Sequence, residues 1–313
     1  MEFEGKIIFP TQGSNEETTK NFPLKGEPVE EEVLSQEPQP QLESIAIGKP
    51  KRTLRKPARL IDMVACADSI AADDIPTTYK DAVQSSEEDK WRISMDEEMQ
   101  SLHQNHTWRL ANLPEGNKAI GCKWVFAKKE GFPNQEDVRY KARLVAKGYA
   151  QKEGIDYNEV FSPVVKHSSI RVLLALVAQL NLELVQLDVK TAFLHGKLEE
   201  EIYMTQPEGF KVDGKENMVC KLEKSLYGLK QSSRQWYKRF DKFMLHQRYI
   251  RSKYDHCVYL RKLEDNSFIY LLLYVDDMLI ASKSQEEIEK LKIQLRKEFE
   301  MKDLGEAKKI IGM

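Results

Sequence analysis

The sequence has few cysteines and no long apolar run. Its 313 residues include four cysteines, which are Cys66, Cys122, Cys220 and Cys257. They show neither CxxC spacing nor a zinc pattern with histidine. A run of about 18 apolar residues is absent, which argues against a membrane span, and the N-terminus lacks the features of a signal peptide. These absences predict an intracellular protein with free thiols.

The near-neutral net charge hides two basic segments. The formal charge is −2, yet residues 120–152 carry eight basic and three acidic side chains, and residues 221–253 carry ten basic and two acidic ones. Such local excesses of Lys and Arg are expected where a protein follows a phosphate backbone. Solvated helix faces would explain the same charges, so composition alone leaves nucleic-acid binding open.

Proline and acidic residues are concentrated near the N-terminus. Seven of the twelve prolines lie within the first 57 residues, and residues 1–49 carry ten acidic against four basic side chains. This segment cannot bury enough apolar surface to offset its ordering entropy, so residues 1–75 are predicted to be a disordered linker. Its basic stretch, residues 51–59, is interpreted as a solvated charge run, with a nuclear-import signal or a nucleic-acid contact as alternatives.

Periodic structure begins near residue 87. The spacing of Trp91, Met95, Met99 and Leu102 predicts a packing helix, on which Glu98 is placed off the apolar stripe and given no chemical role. Residues 122–131 and 139–151 predict two strands joined by a turn-rich loop. Strands and helices are interspersed without strict alternation, which predicts the α+β class.

Of the further helices predicted, two are apolar over much of their length. SSIRVLLALVAQL (168–180) is apolar on nearly all sides, which predicts burial, and Ser168 or Ser169 is its expected N-cap. A second helix is predicted over 232–247, with Trp236 facing the core. The strand LELVQLDV lies between them and ends near Asp188.

The strongest chemical signal is the pair Asp276–Asp277. Residues 268–281 are apolar apart from these two carboxylates and two tyrosine hydroxyls, which predicts a hairpin with acids at its turn. Adjacent carboxylates in apolar surroundings repel each other and need a counter-charge, which Mg²⁺ supplies. An exposed turn, where Asp caps backbone groups, is the alternative interpretation.

Asp188 adds a third carboxylate at a strand end. Alone, such an Asp is more often a helix cap than a metal ligand. Two strand elements that each deliver carboxylates would place three acids around two metal ions about 4 Å apart, which is the arrangement of two-metal phosphoryl transfer.

Several longer segments carry a specific resemblance. They are RYKARLVAKGYAQ (139–151), GIDYNEVFSPV (154–164), LDVKTAFLHGKLEEEIYMTQPEGF (187–210), VCKLEKSLYGLKQSSRQWY (219–237), YVDDMLIA (274–281) and MKDLGEAKKIIGM (301–313). In this order they resemble the reverse transcriptases in Pol polyproteins of copia-type long-terminal-repeat retrotransposons (Pseudoviridae). The resemblance runs from about Ala82 to Met313.

The resemblance implies site residues. Asp188, Asp276 and Asp277 match the catalytic and metal-binding triad, for two Mg²⁺ ions with Mn²⁺ as an alternative. Phe193 matches an aromatic steric gate that favours deoxynucleotides, although core packing would also explain it. The triphosphate contacts implied in the fingers are Lys141 and Arg143, with Arg139 and Lys147 as alternatives in register. Tyr227 is a nucleotide contact in the same comparison, with Gly228 and Lys230 as further candidates.

The resemblance also implies a fold and an activity. The fold is a right-hand polymerase whose fingers and palm, with an antiparallel palm sheet, occupy residues 82–313. The activity is RNA-directed DNA synthesis, in which a primer 3′-hydroxyl on an RNA or DNA template-primer attacks a deoxynucleoside triphosphate. The expected location is intracellular, either a cytoplasmic virus-like particle or the nucleus, with no membrane contact.

Two departures from the family pattern set further expectations. Ser232–Ser233 replaces a small residue followed by proline, and Ser233 remains an expected helix cap. The sequence ends at Met313, where related polyproteins continue, so a truncated fragment without thumb, RNase H and integrase is expected. The alternatives are an inactive remnant that at most binds nucleic acid, and a two-metal nuclease, which would not explain the fingers hairpin or Phe193.

Overall fold

The computed structural model describes residues 75–129 and 138–307. Apart from Ile75, the linker predicted over residues 1–75, with its basic stretch 51–59, lies outside the described residues. The same holds for the predicted loop at 130–137 and for residues 308–313.

The described residues form five α-helices, two 3₁₀ helices and twelve strands. The α-helices are α1 (Tyr79–Val83), α2 (Glu88–Gln104), α3 (His167–Leu180), α4 (Ser232–His246) and α5 (Gln285–Glu298), and the 3₁₀ helices are Gly148–Ala150 and Ala192–His195. The strands are β1 (Trp108–Ala111), β2 (Ala119–Ile120), β3 (Cys122–Lys129), β4 (Arg139–Ala146), β5 (Glu183–Val189), β6 (Lys197–Met204), β7 (Val219–Lys224), β8 (Ile250–Arg251), β9 (Val258–Lys262), β10 (Phe268–Tyr274), β11 (Asp277–Ser282) and β12 (Met301–Glu306). This mixture confirms the predicted α+β class.

The largest sheet has six strands in the order β12-β5-β11-β10-β9-β8, and every neighbouring pair is antiparallel. Strands β5 and β11 are therefore interior strands, paired on both sides. Helices α3, α4 and α5 contribute to the apolar core of this sheet, in which Leu187, Ile280, Trp236, Phe240 and Leu291 are almost fully buried. The predicted burial of Trp236 is confirmed.

A second core lies around α2. It joins a four-stranded sheet, with the order β1-β7-β6-β2, to the separate β3–β4 hairpin. The pairs in these two sheets are antiparallel except for the parallel pair β2–β6. Trp91, Met95, Leu144 and Ile202 are almost fully buried there. Since a two-stranded hairpin is marginally stable alone, β3–β4 depends on its contacts with α2.

The predicted burial and capping of α3 are wrong. Val172 and Leu180 are 59% and 50% exposed, because only one side of the helix faces the sheet. The helix begins at His167, and its N-cap residue makes no side-chain cap. Instead, a carboxylate oxygen of Asp255 accepts from the backbone N–H of Lys166 at 2.8 Å and from the hydroxyl of Ser169 at 2.6 Å.

The expected cap by Ser233 is also wrong. Helix α4 begins one residue earlier, at Ser232, and its N-cap residue Gln231 makes no side-chain cap. The backbone carbonyl of Ser233 accepts a hydrogen bond from the Ser162 hydroxyl. In the described ranges, no helix combines the length and the apolarity that crossing a bilayer requires.

Candidate active site

The three predicted carboxylates lie in one corner of the six-stranded sheet. Asp188 on β5 and Asp277 on β11 are direct partners across the antiparallel pair, so their Cβ atoms are about 5 Å apart on the same face. Asp276 lies in the turn between β10 and β11. Its backbone carbonyl accepts from the N–H of Val189, the residue after Asp188, at 2.9 Å. A main-chain hydrogen bond therefore joins the turn to β5.

The turn that carries Asp276 has an unusual conformation and a specific support. Val275 has a φ of 56°, in the left-handed region that β-branched residues rarely adopt. The indole N–H of Trp236, on α4, donates to the Val275 carbonyl at 2.6 Å. A buried side chain from α4 thus supports the turn through a hydrogen bond.

Electrostatics distinguish the two adjacent carboxylates. Loss of hydration and then repulsion from Asp188 raise the pKa of Asp276, although its side chain still reaches solvent. Loss of hydration also raises the pKa of Asp277, but the Gln186 side-chain amide donates to Asp277 at 3.2 Å and opposes this effect. Repulsion from Asp276 and Asp188 raises the pKa of Asp277 as well, so the carboxylates repel one another and a cation beside them would relieve that repulsion.

A divalent cation fits this donor set in part. Within residues 75–129 and 138–307, no three His, Cys, Asp or Glu side chains are grouped so that they could hold a metal ion. One carboxylate oxygen of Asp277 already accepts from Gln186, and a cation would relieve the repulsion of Asp276 with Asp188 and of Asp277 with both. Two carboxylates suffice for an ion such as Mg²⁺ that takes its other ligands from phosphates and water.

A cleft of about 360 Å³ is lined by several cationic side chains and, among the three carboxylates, by Asp188. Its lining includes Glu98, Arg139, Lys141, Asp188, Lys190 and Lys302. Lys141 and Arg143, on β4, both act electrostatically on Asp276 and oppose the rise in its pKa. Of the two alternatives in register, Arg139 lines the cleft, whereas the Lys147 side chain lies close to Gly121 at the other end of the hairpin.

Three of the predicted nucleotide contacts form a stack. The Arg143 guanidinium lies 4.5 Å from the centre of the Tyr227 ring, and the Phe193 ring meets Tyr227 edge-on at 5.1 Å. Burial raises the pKa of Tyr227 to about 12, and Arg143 acts against this rise. Tyr227 therefore connects the β4 cation to the aromatic ring of Phe193 through a neutral, largely buried phenol.

The other two candidates near Tyr227 have structural partners. Gly228 has a φ of 91°, and a Cβ there would lie 2.2 Å from the backbone oxygen of Ala146. The Tyr227 carbonyl accepts from the Ala146 N–H at 2.7 Å. The ammonium of Lys230 donates to the Tyr157 hydroxyl at 3.0 Å. Gly228 thus allows a close backbone contact, and Lys230 is not among the residues that line the cleft.

Glu98 was missed by sequence reasoning, and its placement off the apolar stripe is wrong. Its side chain is 8% exposed and accepts from the backbone N–H of Leu144, on β4, at 3.3 Å. Burial raises the pKa of Glu98, and Arg143 and Lys141 act against this rise. The signal was present, because positions 91, 95, 98 and 102 follow the spacing of one helix face.

Three known Pol polyproteins are similar to most of this chain. The retrovirus-related Pol polyprotein from transposon TNT 1-94 of Nicotiana tabacum is 57% identical over 245 residues, which are 78% of this chain and 18% of that polyprotein. The one from transposon RE1 of Arabidopsis thaliana is 40% identical over 79% of this chain and 17% of its own length. The transposon Ty1-DR5 Gag-Pol polyprotein of Saccharomyces cerevisiae is 28% identical over 81% of this chain and 14% of its own length.

These matches cover about four fifths of this chain, while this chain spans less than a fifth of each polyprotein. Residues 105–313 also match the family described as reverse transcriptase (RNA-dependent DNA polymerase). That range contains the three carboxylates, the β4 cations and the aromatic stack. The chain belongs to the reverse transcriptase family, in the form found in copia-type retrotransposon Pol polyproteins.

Proposed function

We propose that the cleft between β4 and β5 is the nucleotidyl-transfer site of an RNA-directed DNA polymerase. The observation that carries the proposal is that Asp188, Arg139 and Lys141 line one cavity, with Asp276 within electrostatic range of Lys141 and Arg143. Acids that hold metal ions and cations that hold phosphates are the two components that phosphoryl transfer requires. The six-stranded sheet then serves as the palm, and the β3–β4 hairpin belongs to the fingers.

Divalent metal ions are generally used by reverse transcriptases, and the acids here would hold them. Asp188 and Asp276 are the principal ligands, and Asp277 is secondary because Gln186 already engages its carboxylate. Two Mg²⁺ ions, or Mn²⁺ ions, would supply activation of the primer 3′-hydroxyl and charge neutralisation at the phosphates. The contribution of the protein is the fixed spacing of Asp188 and Asp276, set by the β5–β11 pair and its turn.

The remaining residues orient the nucleotide. Lys141 and Arg143 bind the triphosphate, Lys as a point charge and Arg through its planar fork. Phe193 lies beneath the sugar and excludes a 2′-hydroxyl, which selects deoxynucleotides. Tyr227 holds Phe193 and Arg143 in their relative positions through the stack.

This function implies particular partners. The chain would bind an RNA or DNA template-primer and deoxynucleoside triphosphates, and would act beside the RNase H and integrase of a parent polyprotein. Its place of action would be inside the cell, in a cytoplasmic particle or in the nucleus. These assignments rest on the family, because the chain spans only a small part of its relatives.

Primer extension tests the proposal. The purified chain is incubated with an RNA template, a DNA primer, Mg²⁺ and deoxynucleotides, beside the variants Asp188→Ala and Asp276→Asn. We expect extension by the wild-type chain and a loss on the order of a hundredfold or more in both variants, because removing a metal ligand removes several kcal/mol of transition-state stabilisation.

The matched control is Asp213→Asn, which makes the same change of charge at an exposed loop carboxylate and should extend normally. Extension that survives Asp276→Asn would refute the assignment of this carboxylate. If the wild-type chain shows no extension, a longer chain with the RNase H segment is assayed. Synthesis by the longer chain, lost on Asp188→Ala, would assign the site, whereas failure of both chains would favour an inactive remnant.

A further inference from the structure

Glu98 is a buried carboxylate that the proposed reaction does not use. Its side chain is 8% exposed on the face of α2 that carries Trp91 and Met95. The hydrogen bond that it accepts from the Leu144 N–H is 3.3 Å long. Removing a carboxylate from water costs several kcal/mol unless charges or hydrogen bonds compensate. One long hydrogen bond is weak compensation for that loss.

A purely structural role would not need the charge of Glu98. A glutamine at this position could accept the same hydrogen bond from Leu144, and an amide loses less than a carboxylate on burial. The compensation specific to a carboxylate comes from the two β4 cations, since Arg143 and Lys141 both act against the rise that burial causes in the pKa of Glu98. The negative charge thus acts on the same two side chains that act electrostatically on Asp276.

The position of Glu98 relative to the cleft gives this charge a consequence. Glu98 and Lys141 line the same cavity as Asp188, so a polyphosphate bound there lies beside a fixed negative charge. Like charges that share one cavity repel each other strongly where water is partly excluded. The carboxylate and a polyphosphate therefore compete for the same cations.

We infer that Glu98 is a positioning residue that acts as an intrinsic counter-ion of Lys141 and Arg143. It keeps the two cations neutralised in the empty cleft and weakens the hold of the cleft on polyphosphates, which favours release of pyrophosphate after each addition. This inference rests on the proposed function, because it takes the cleft as the triphosphate site. Glu98 acts through the cations and has no contact with the reacting atoms.

Direct binding of inorganic pyrophosphate tests this inference without any need for polymerase activity. Binding to the purified chain in magnesium buffer is measured by isothermal titration calorimetry for wild type, Glu98→Gln and Lys141→Gln. We expect Glu98→Gln to lower the dissociation constant about tenfold, since removing one unit of negative charge near the anion removes that much repulsion. Lys141→Gln should weaken binding.

The direction of the change separates the counter-ion role from a structural one. Damage to the hairpin would weaken pyrophosphate binding, so equal or weaker binding by folded Glu98→Gln overturns the inference. Asp96→Asn is the matched control, because it removes an exposed carboxylate on the same helix and should leave binding unchanged. Tightening in Asp96→Asn as well would indicate a general charge effect and would also overturn it.

Two further outcomes are decisive. Glu98→Met, which resembles glutamate in length, is made beside Glu98→Gln. If neither variant folds, the carboxylate is required for the structure and the counter-ion role is refuted. If the wild-type chain binds no pyrophosphate, this inference fails. The proposed function is then still decided by primer extension with the wild-type chain and the Asp188→Ala variant. If Glu98→Gln tightens pyrophosphate binding but neither this chain nor the longer chain extends a primer, Glu98 is the counter-ion of the two cations, while the polymerase assignment and the link to pyrophosphate release fail.

Discussion

The two sides of the cleft are built in different ways. The acidic side uses β5 and β11, interior strands of a six-stranded antiparallel sheet that are hydrogen-bonded on both sides. The basic side uses β4, one strand of an isolated two-stranded hairpin. The positions of Asp188 and Asp277 therefore follow from the strand register. The positions of Lys141 and Arg143 depend instead on how firmly the hairpin packs against its neighbours.

This difference shows where each half of the site is vulnerable. On the acidic side the weakest element is the turn at Val275–Asp276, supported by Trp236. On the basic side the supports are contacts between segments, such as Glu98 with Leu144 and Tyr227 with Ala146. Substitutions at these supports should affect one side of the cleft at a time.

The largest effect is expected at the close backbone contact that docks β4. Gly228→Ala places a Cβ 2.2 Å from the Ala146 oxygen at a φ of 91°, so the loop must withdraw from the hairpin. We expect the free energy of unfolding to fall by about 2–4 kcal/mol from the clash and the strained backbone together. Urea unfolding followed by circular dichroism measures this loss.

Gly214→Ala is the control for backbone strain alone. Gly214 has a φ of 73°, and a Cβ there would meet nothing within 4 Å. Its replacement should cost about 1 kcal/mol from the left-handed conformation. Equal losses at the two glycines would show that the loop around Gly228 is not packed tightly against β4.

The next effect concerns the tryptophan behind the acidic turn. Trp236→Phe keeps a buried ring but removes the N–H that donates to Val275. Trp91→Phe makes the same change on the basic side, where the indole nitrogen of Trp91 has no hydrogen-bond partner in the described structure. Both rings are almost fully buried, so the loss of ring volume is similar.

We expect Trp236→Phe to destabilise the protein by about 1–2 kcal/mol more than Trp91→Phe, since only the change at Trp236 leaves a partly buried carbonyl, that of Val275, without its donor. Urea unfolding of both variants gives the difference. Primer extension should also fall more for Trp236→Phe, because the turn holds Asp276. Equal losses in the two variants would mean that the hydrogen bond contributes nothing to the turn.

The acidic side was more predictable from sequence than the basic side. The hairpin of Asp276 and Asp277 followed from two flanking apolar runs, and the strand of Asp188 from its own composition. Both signals are local, because an apolar strand pattern is recognised from residues that are neighbours in the sequence. That these acids share one corner needed only the expectation that their strands belong to one sheet.

The supports of the site were not predictable in the same way. The bond from Trp236 to Val275 and the contact of Gly228 with Ala146 join residues far apart in sequence, and composition carries no signal for either. Glu98 was predictable in principle from its helical spacing, but a charged residue was assumed to face solvent. The expected serine caps failed because Asp255, from a distant loop, accepts from Lys166 and Ser169 at the start of α3, and because α4 begins at Ser232 itself, without a side-chain cap.

The third prediction concerns acid sensitivity of the core beneath the acidic turn. His195 packs against Trp236 and Phe299. Burial, and then the positive charges of Lys224 and Arg239, lower the pKa of His195 from 6.5 to about 4. Between these values the unfolded chain binds a proton that the folded chain rejects, so the stability contributed by His195 falls as the pH drops from about 6.5 to 4.

His195→Phe should therefore lose less stability than the wild type on going from pH 7.5 to pH 5, because this source of proton uptake on unfolding is removed. Thermal unfolding midpoints at the two pH values measure the effect. His246→Phe, at an exposed position near the end of α4, should leave the acid-induced loss unchanged. If His195→Phe loses as much stability as the wild type between pH 7.5 and pH 5, the acid sensitivity comes from other groups.

The smallest changes in stability are expected for substitutions in two turns of the same sheet. Val275 in the β10–β11 turn and Asn266 in the β9–β10 turn have φ values of 56° and 67°. Asparagine tolerates this conformation and valine does not. Val275→Asn should therefore raise the free energy of unfolding by about 0.5–1 kcal/mol, and Asn266→Val should lower it by about the same amount. Urea unfolding again measures both changes. If Val275→Asn instead destabilises the protein, contacts of the valine side chain outweigh the backbone strain, and the acidic turn depends on side-chain packing as much as the basic hairpin does.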